Sequence, residues 1–284
     1  MKKYNDFDLT SYNSYGIRST ARLAIFPESV SELIHAIGSY ERKILIGGGN
    51  NIILSKQYYD LPIIFCGQNM KDYEVESNRF TVSCGVSMQE LSNMVADKGY
   101  SGFETFYDIP GCIGGGIYMN AGAGEQFISD HIVSVEAWDV RNREMKSYTK
   151  EECRFGYRNS VFKDCGGLVI LRGTFSFDSV MDCNQIRKKM NEIKLKRWAK
   201  QPREYPNAGS VFKRPKGRFV GPMIEQLGLK GYSIGDACVS EKHAGFIVNK
   251  GHAKGSDIIS LVKYIQRKVY DSYGVQLQLE QVII

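Results

Sequence analysis

Four side chains in this 284-residue chain stand where their chemistry could be used. Arg158 lies in FGYRNSVFK (155–163), Ser210 in NAGSVFKRP (207–215), His243 in SEKHAGF and Glu280 in LQLEQVII. A guanidinium is a planar fork suited to a carboxylate or a phosphate, although an ordinary surface ion pair would use it equally well. Ser210 follows a glycine in a turn, so its hydroxyl either stays exposed or stabilises that turn. No G-x-S-x-G surrounds Ser210, which argues against a hydrolase nucleophile, and His243 reads more simply as a local hydrogen-bonding group than as a catalytic base. Glu280 puts a carboxylate into an apolar run, where it must be at an edge, paired or functional.

Backbone chemistry is suggested by two glycine-rich stretches. PGCIGGGIYMNAGAG, residues 110–124, holds six glycines in fifteen positions, and IGGGNNIIL, 46–54, follows a strand-like run. Glycine loses much backbone entropy on ordering, so such density needs a reason: tight turns, close packing, or a ligand lying against the main chain. The run 47–52 fails G-x-G-x-x-G at Ile52, and G-x-x-x-x-G-K-[ST] occurs nowhere. Successive glycine turns can still aim several N–H groups at one anion. Two such loops, with Asn50, Asn51 and Asn120 supplying amides, point to a diphosphate-bearing, nucleotide-like ligand.

Short strand patterns alternating with helical ones would carry these loops, which makes the chain α+β. Strands are expected at 22–28, 43–49, 79–85, 132–140 and 167–177. One helix starts after Ser29, with Val30, Leu33, Ile34 and Ile37 on one face. A second starts at the Ser87–Glu90 capping box and stops at Gly99. The segment 184–201 carries seven Lys/Arg against the single Glu192, with Ile186, Met190, Ile193 and Trp198 near helical spacing, and reads as a helix with a solvated basic face. Beyond it come expected strands at GSVFK, AGFIVNK and VQLQLEQVII, and a helix over 256–274. A domain boundary is placed near residue 180.

The composition bounds the class. With 43% hydrophobic and 24% charged residues the chain is typical of a globular protein. Its longest apolar runs, such as LVIL, are too short to span a membrane, and no apolar signal segment follows the first lysines. Seven cysteines without a C-x-x-C pair and four scattered histidines predict no metal site and a reducing, cytoplasmic compartment. The net charge of +6 suits an anionic ligand, and no nucleic-acid motif accompanies it.

Seven segments then carry a resemblance across nearly the whole chain. NSYGI, GGGNNIIL, IPGCIGGGIYMNAGA, FGYRNSVFK, YPNAGSVFKRP, GLKGYSIGDACVSEKHAGFIVN and GVQLQLE occur in this order, and together they resemble the UDP-N-acetylenolpyruvoylglucosamine reductase family. The length, and FKRP, are similar to its shorter class without a capping tyrosine loop. The resemblance implies an FAD-binding α+β domain of the vanillyl-alcohol-oxidase (PCMH) type over 1–180 and a smaller C-terminal α+β substrate domain over 181–284. It implies FAD and NADPH as cofactors and UDP-N-acetylglucosamine enolpyruvate as substrate, with nicotinamide and sugar nucleotide using one cleft in turn. A cytoplasmic monomer without nucleic-acid or membrane partners is implied by the same likeness. FAD would be held by Gly47, Gly48, Gly49, Asn50, Asn51, Pro110, Gly111, Gly114, Gly115, Asn120 and Gly122, and substrate by Tyr157, Lys213 and Arg214.

The implied reaction fits the residue types. Adding hydride from flavin to the β-carbon of an unsaturated carboxylate gathers negative charge as an enolate, which needs stabilisation and a proton source. By motif match, Arg158 and Glu280 stabilise the enolic species and Ser210 delivers the proton. Three places depart from the family pattern. Gln281 and Val282 stand where valine and arginine are usual, Gly124 replaces an aromatic residue, and IRSTA stands for IGGPA. They touch the expected cofactor pocket rather than the triad, and leave open a flavoprotein paralogue with a related substrate. A non-catalytic nucleotide-binding module would be colourless.

Overall fold

A computed structural model describes residues Met1–Ile284. The chain forms two compact units, each assembled from three segments. The first comprises Met1–Tyr4, Ala24–Gly48 and Pro62–Lys196; the second comprises Asn5–Leu23, Gly49–Leu61 and Arg197–Ile284. The chain thus passes between them repeatedly, where the sequence predicts one crossing near residue 180. The physical reason is visible at Tyr15 and Gly49. Tyr15 is fully buried and its hydroxyl bonds to Gln281, while the Gly49 carbonyl accepts the Ser14 N–H at 3.1 Å.

In the first unit, helix α1 (Val30–Ser39) begins where the Ser29 hydroxyl accepts the Glu32 N–H, and it buries Leu33, Ala36 and Ile37. Helix α2 (Met88–Asp97) carries the reciprocal Ser87–Glu90 box, with bonds of 3.0 and 2.7 Å, and Gly99 beyond it has φ +75°. Parallel pairing joins Ile44–Ile46 to Ile63–Phe65, and Ile63–Phe65 to residues 24 and 25. A five-stranded antiparallel sheet runs Glu144–Thr149, Ile132–Asp139, Leu168–Ser176, Arg79–Ser83, Tyr73–Glu76. Its apolar side meets a cluster of Phe80, Phe103, Phe106, Phe175 and Phe177, with the His131 ring stacked 4.8 Å from Phe177. Such aromatic pairs add about 0.5–1.5 kcal/mol each beyond their burial.

The glycine-rich stretch, read as a loop, contains helix α3 (Ile113–Met119), followed by α4 (Val161–Asp164). The basic segment is helix α5 (Cys183–Lys200), which buries Ile186 and Met190 against Ala96. Trp198, expected on that face, is 42% exposed. At 3.6 residues per turn it stands about 120° round the helix from Ile186, which explains the difference.

The second unit holds a three-stranded antiparallel sheet, Ser233–Ile234, Ala237–Val239 and Ile247–Asn249. Helix α6 (Val220–Gln226) precedes it. Helix α7 (Gly255–Tyr273) buries Ile258, Leu261, Val262, Ile265 and Val269 and ends at Gly274, in the left-handed conformation. The expected strands GSVFK and VQLQLEQVII are not continuous ladders. Only Val282–Ile283 forms a strand, parallel to Ile52–Ile53, while Ser210 bridges Phe246 and Phe212 bridges Leu279. The extended segment changes partner midway: Val211 N–H bonds to Gly245 and Lys213 N–H to Gln278. No helix is long and apolar enough to cross a membrane.

Candidate active site

The two glycine stretches meet inside the first unit. A Cβ on Gly47 would lie 3.1 Å from the Cys112 sulfur and 3.9 Å from the Gly115 nitrogen. Burial raises the Cys112 thiol above its ordinary pKa, while the N–H groups of Gly115, Gly48 and Gly114 pull it the other way. Burial likewise pushes Cys66 up to about 12 and raises Cys84, so all three thiols are neutral at neutral pH. All seven cysteines are free. The Ser83 hydroxyl, on the strand entering this region, is buried without a hydrogen-bond partner.

Backbone donors from two glycine turns converging on one point make the donor set that a diphosphate needs. Gly115 lies in the first turn of α3, where N–H groups lack helical acceptors. Gly114 N–H is given to Cys84 O at 2.8 Å, while the N–H groups of Gly48 and Gly115 face the Cys112 sulfur. The two glycine turns thus supply the kind of backbone donors that the diphosphate of FAD takes.

The chain's own packing demands other glycines. A Cβ on Gly114 would stand 2.8 Å from Cys84 Cβ, one on Gly122 2.8 Å from Phe127 Cδ1, and one on Gly49 would collide with the Tyr12 carbonyl. Gly116 abuts the Met88 side chain. Gly115 differs, because its Cβ would meet only Cys112 Sγ at 3.7 Å, an ordinary contact. Pro110 is exposed, and Gly111 has φ +126°.

Arg158 is positioned from the far end of α3. Asn120 ends that helix with φ 45°; its amide donates to Gly156 O at 2.9 Å and accepts from Ser129 N at 3.3 Å. Both ends of this amide are thus engaged within the protein. Arg158 itself has φ +55°, and its guanidinium donates to Gly122 O at 2.9 Å and Asn120 O at 3.4 Å. It stands 5.5 Å from the centre of the Tyr157 ring, which is 47% exposed. Arg158, Tyr157, Asn120 and Gly122 are therefore brought together.

In the second unit, the Asn50 amide donates to Ser14 Oγ at 2.9 Å, and the Asn51 amide to Glu280 O at 3.3 Å. Glu280 N–H bonds to Val211 O at 2.8 Å, so Glu280 and the Ser210 segment are adjacent. Ser210 is exposed and its hydroxyl makes no hydrogen bond within the protein. The turn before it is shaped by Gly209, with φ +79°, and by Asn207, whose Oδ1 accepts Gly209 N–H at 3.2 Å. Lys213 is half-buried; the Arg214 guanidinium lies 3.8 Å from the Phe219 ring centre. Among the expected catalytic residues, Ser210 and Glu280 belong to this unit and Arg158 to the first.

His243 has the local role. Its Nδ1 accepts Gly245 N–H at 3.1 Å, and burial lowers its pKa below the usual imidazole value. Residues given no role by the motifs stand in the core of the second unit. Asn13 is buried and its amide bonds to Leu9 and Ile17 carbonyls. Tyr15 and Gln281 pair in the core at 2.9 Å. Gln281 stands out in the sequence only as a departure from the family pattern.

Two family models match the chain: the C-terminal domain of UDP-N-acetylenolpyruvoylglucosamine reductase over residues 201–284, and an FAD binding domain over residues 21–145. A UDP-N-acetylenolpyruvoylglucosamine reductase of Francisella tularensis is 37% identical, across 97% of this chain and 98% of the relative. One of Petrotoga mobilis is 38% identical, across 98% and 93%. The crystal structure of UDP-N-acetylenolpyruvylglucosamine reductase from Thermus caldophilus is similar with a TM-score of 0.83 at 28% identity, covering 99% of this chain and 98% of that one.

Proposed function

The chain belongs to the UDP-N-acetylenolpyruvoylglucosamine reductase family, and on that premise we propose that it reduces UDP-N-acetylglucosamine enolpyruvate to UDP-N-acetylmuramate for peptidoglycan synthesis, with FAD as prosthetic group and NADPH as reductant. The observation that carries this reading is the adjacency of Ser210 and Glu280, an exposed hydroxyl and a carboxylate on bonded backbone, inside the region matched by the reductase domain. Free thiols suit a reducing cytoplasm, and the family likeness suggests a monomer that needs neither nucleic acid nor membrane.

When bound, FAD would supply the hydride-transfer chemistry that links NADPH to the vinyl group of the substrate. The N–H groups of Gly48 and Gly115 would hold its diphosphate, with Gly47, Gly49, Asn50, Asn51, Pro110, Gly111, Gly114, Asn120 and Gly122 shaping the surrounding backbone. Tyr157, Lys213 and Arg214 hold the sugar nucleotide; the two cations meet its phosphates. Arg158 stabilises the enolate oxygen by charge, together with Glu280. Ser210 then gives its hydroxyl proton to the α-carbon: the Oγ–H bond breaks, the C–H bond forms, and the serine oxygen regains a proton from water.

An anaerobic visible spectrum tests the reading. A flavin spectrum bleached by NADPH and restored by UDP-N-acetylglucosamine enolpyruvate supports it. Bleaching without restoration keeps a flavoprotein and discards the substrate. Failure to bind added FAD discards the enzyme.

A further inference from the structure

We propose that Gln281 is a positioning residue for Ser210, clamping the 207–210 turn from the core so that the hydroxyl keeps the direction in which it delivers its proton. This rests on the reductase reading, in which Ser210 Oγ is the proton donor. Gln281 is 3% exposed, and both ends of its amide are used. Its Oε1 accepts the Tyr15 hydroxyl at 2.9 Å, and its Nε2 donates to Ala208 O at 3.1 Å and Gly209 O at 3.4 Å. Tyr15 is fully buried, and its own carbonyl accepts from the Asn249 amide at 2.8 Å. The turn is therefore anchored through Gln281 to residues near both ends of the sequence.

The same stretch of chain also fixes the far side of Ser210. Glu280, next to Gln281, bonds through its N–H to Val211 O at 2.8 Å. Residues 208, 209 and 211 are thus held by 280 and 281, and only Ser210 stands between them. Gly209 has φ +79°, a conformation that a glycine leaves readily once its carbonyl is released. An amide suits this position because it accepts from a phenol and donates to two carbonyls without bringing a charge into the core. An apolar side chain of the same length would fill the space and leave those groups unpaired. A misplacement of about 1 Å at a reacting group can cost on the order of 100-fold in rate.

The test combines Gln281→Met, Ser210→Ala and their double variant, each loaded with FAD. Stopped-flow follows flavin reduction by NADPH and its reoxidation by UDP-N-acetylglucosamine enolpyruvate, and hydrogen exchange follows the amides of residues 207–211. Gln281→Met is expected to slow reoxidation by roughly 10- to 100-fold, to leave reduction unchanged, and to quicken exchange in the turn. In the Ser210→Ala background it is expected to cost nothing further, which a merely structural defect would not reproduce. Wild-type reoxidation in Gln281→Met, or an equal loss in the Ser210→Ala background, overturns the proposal. Should Gln281→Met fail to fold, Tyr15→Phe keeps both carbonyl bonds and removes only the phenol; it must slow the same step, and an unchanged rate overturns the proposal. A wild-type flavin that NADPH bleaches and the substrate does not restore overturns the reductase reading instead, and the wild-type trace alone distinguishes that failure.

Discussion

A serine hydroxyl is a weak acid that becomes a competent proton donor only toward a strongly basic carbon, which is what hydride addition to the enolpyruvyl group creates. Ser210 is placed for that use, exposed and uncommitted within the protein, on a turn held by Asn207 from within. Ser210→Ala is expected to keep flavin reduction by NADPH and to lose roughly 10²- to 10⁴-fold in reoxidation by substrate; rapid-mixing traces at the flavin band would read both, and unimpaired reoxidation would remove Ser210 from the chemistry. Arg158 was legible as a residue type, but what aims it was not. Its left-handed backbone costs about 1–2 kcal/mol for a side chain with a Cβ, and the carbonyls of Asn120 and Gly122 that receive its guanidinium follow from tertiary structure rather than from the motif. Gln281 shows the same limit, because its partners Tyr15, Ala208 and Gly209 are remote in sequence.

At the scale of elements, α3 separates two meanings of glycine. Gly115→Ala adds a Cβ that meets nothing closer than 3.7 Å, so the cofactor-free protein should gain about 0.5–1 kcal/mol from helix propensity while its affinity for FAD falls. Gly114→Ala puts a Cβ 2.8 Å from Cys84 Cβ and should destabilise by roughly 1–3 kcal/mol with or without FAD. Denaturant melts and flavin titration check the pair; unchanged FAD affinity in Gly115→Ala would remove that residue from the cradle. Local signals were readable where the interaction is local: the Ser29 cap, the Ser87–Glu90 box and the Gly274 stop all stand where the residue types place them. The helix in PGCIGGG was not, because three consecutive glycines disfavour a helix by about 1 kcal/mol each relative to alanine, and packing against Cys84 and Met88 overrides that. The strand Lys2–Asp8 carries no sequence signal, because its residues are almost all exposed and show no period-two apolar pattern.

On the scale of the molecule, the fold class and the need for FAD were legible, and the way the chain is divided was not. Periodicity reports which face of an element is buried, not which distant segment buries it. The second unit takes Asn13 and Tyr15 from one segment, Ile52–Ile53 from another and Gln281 from a third. A fragment of residues 201–284 is therefore expected to remain unfolded alone, although a domain model matches that stretch; sharp near-ultraviolet dichroism from it would contradict this. Adding residues 5–61 in the same polypeptide should be required for order. The Tyr15–Gln281 bond closes over 266 positions, and synthesis proceeds from the N-terminus. Every residue of the first unit has been made by Lys196, whereas the second must wait for its third segment. On a stalled ribosome from which Lys196 has emerged and the end of the third segment has not, the first unit should already resist protease while residues 5–23 and 49–61 remain cleavable. The order of manufacture would then mature the nucleotide cradle before the proton donor, so that a nascent chain gains the ability to grip its cofactor ahead of the ability to use it.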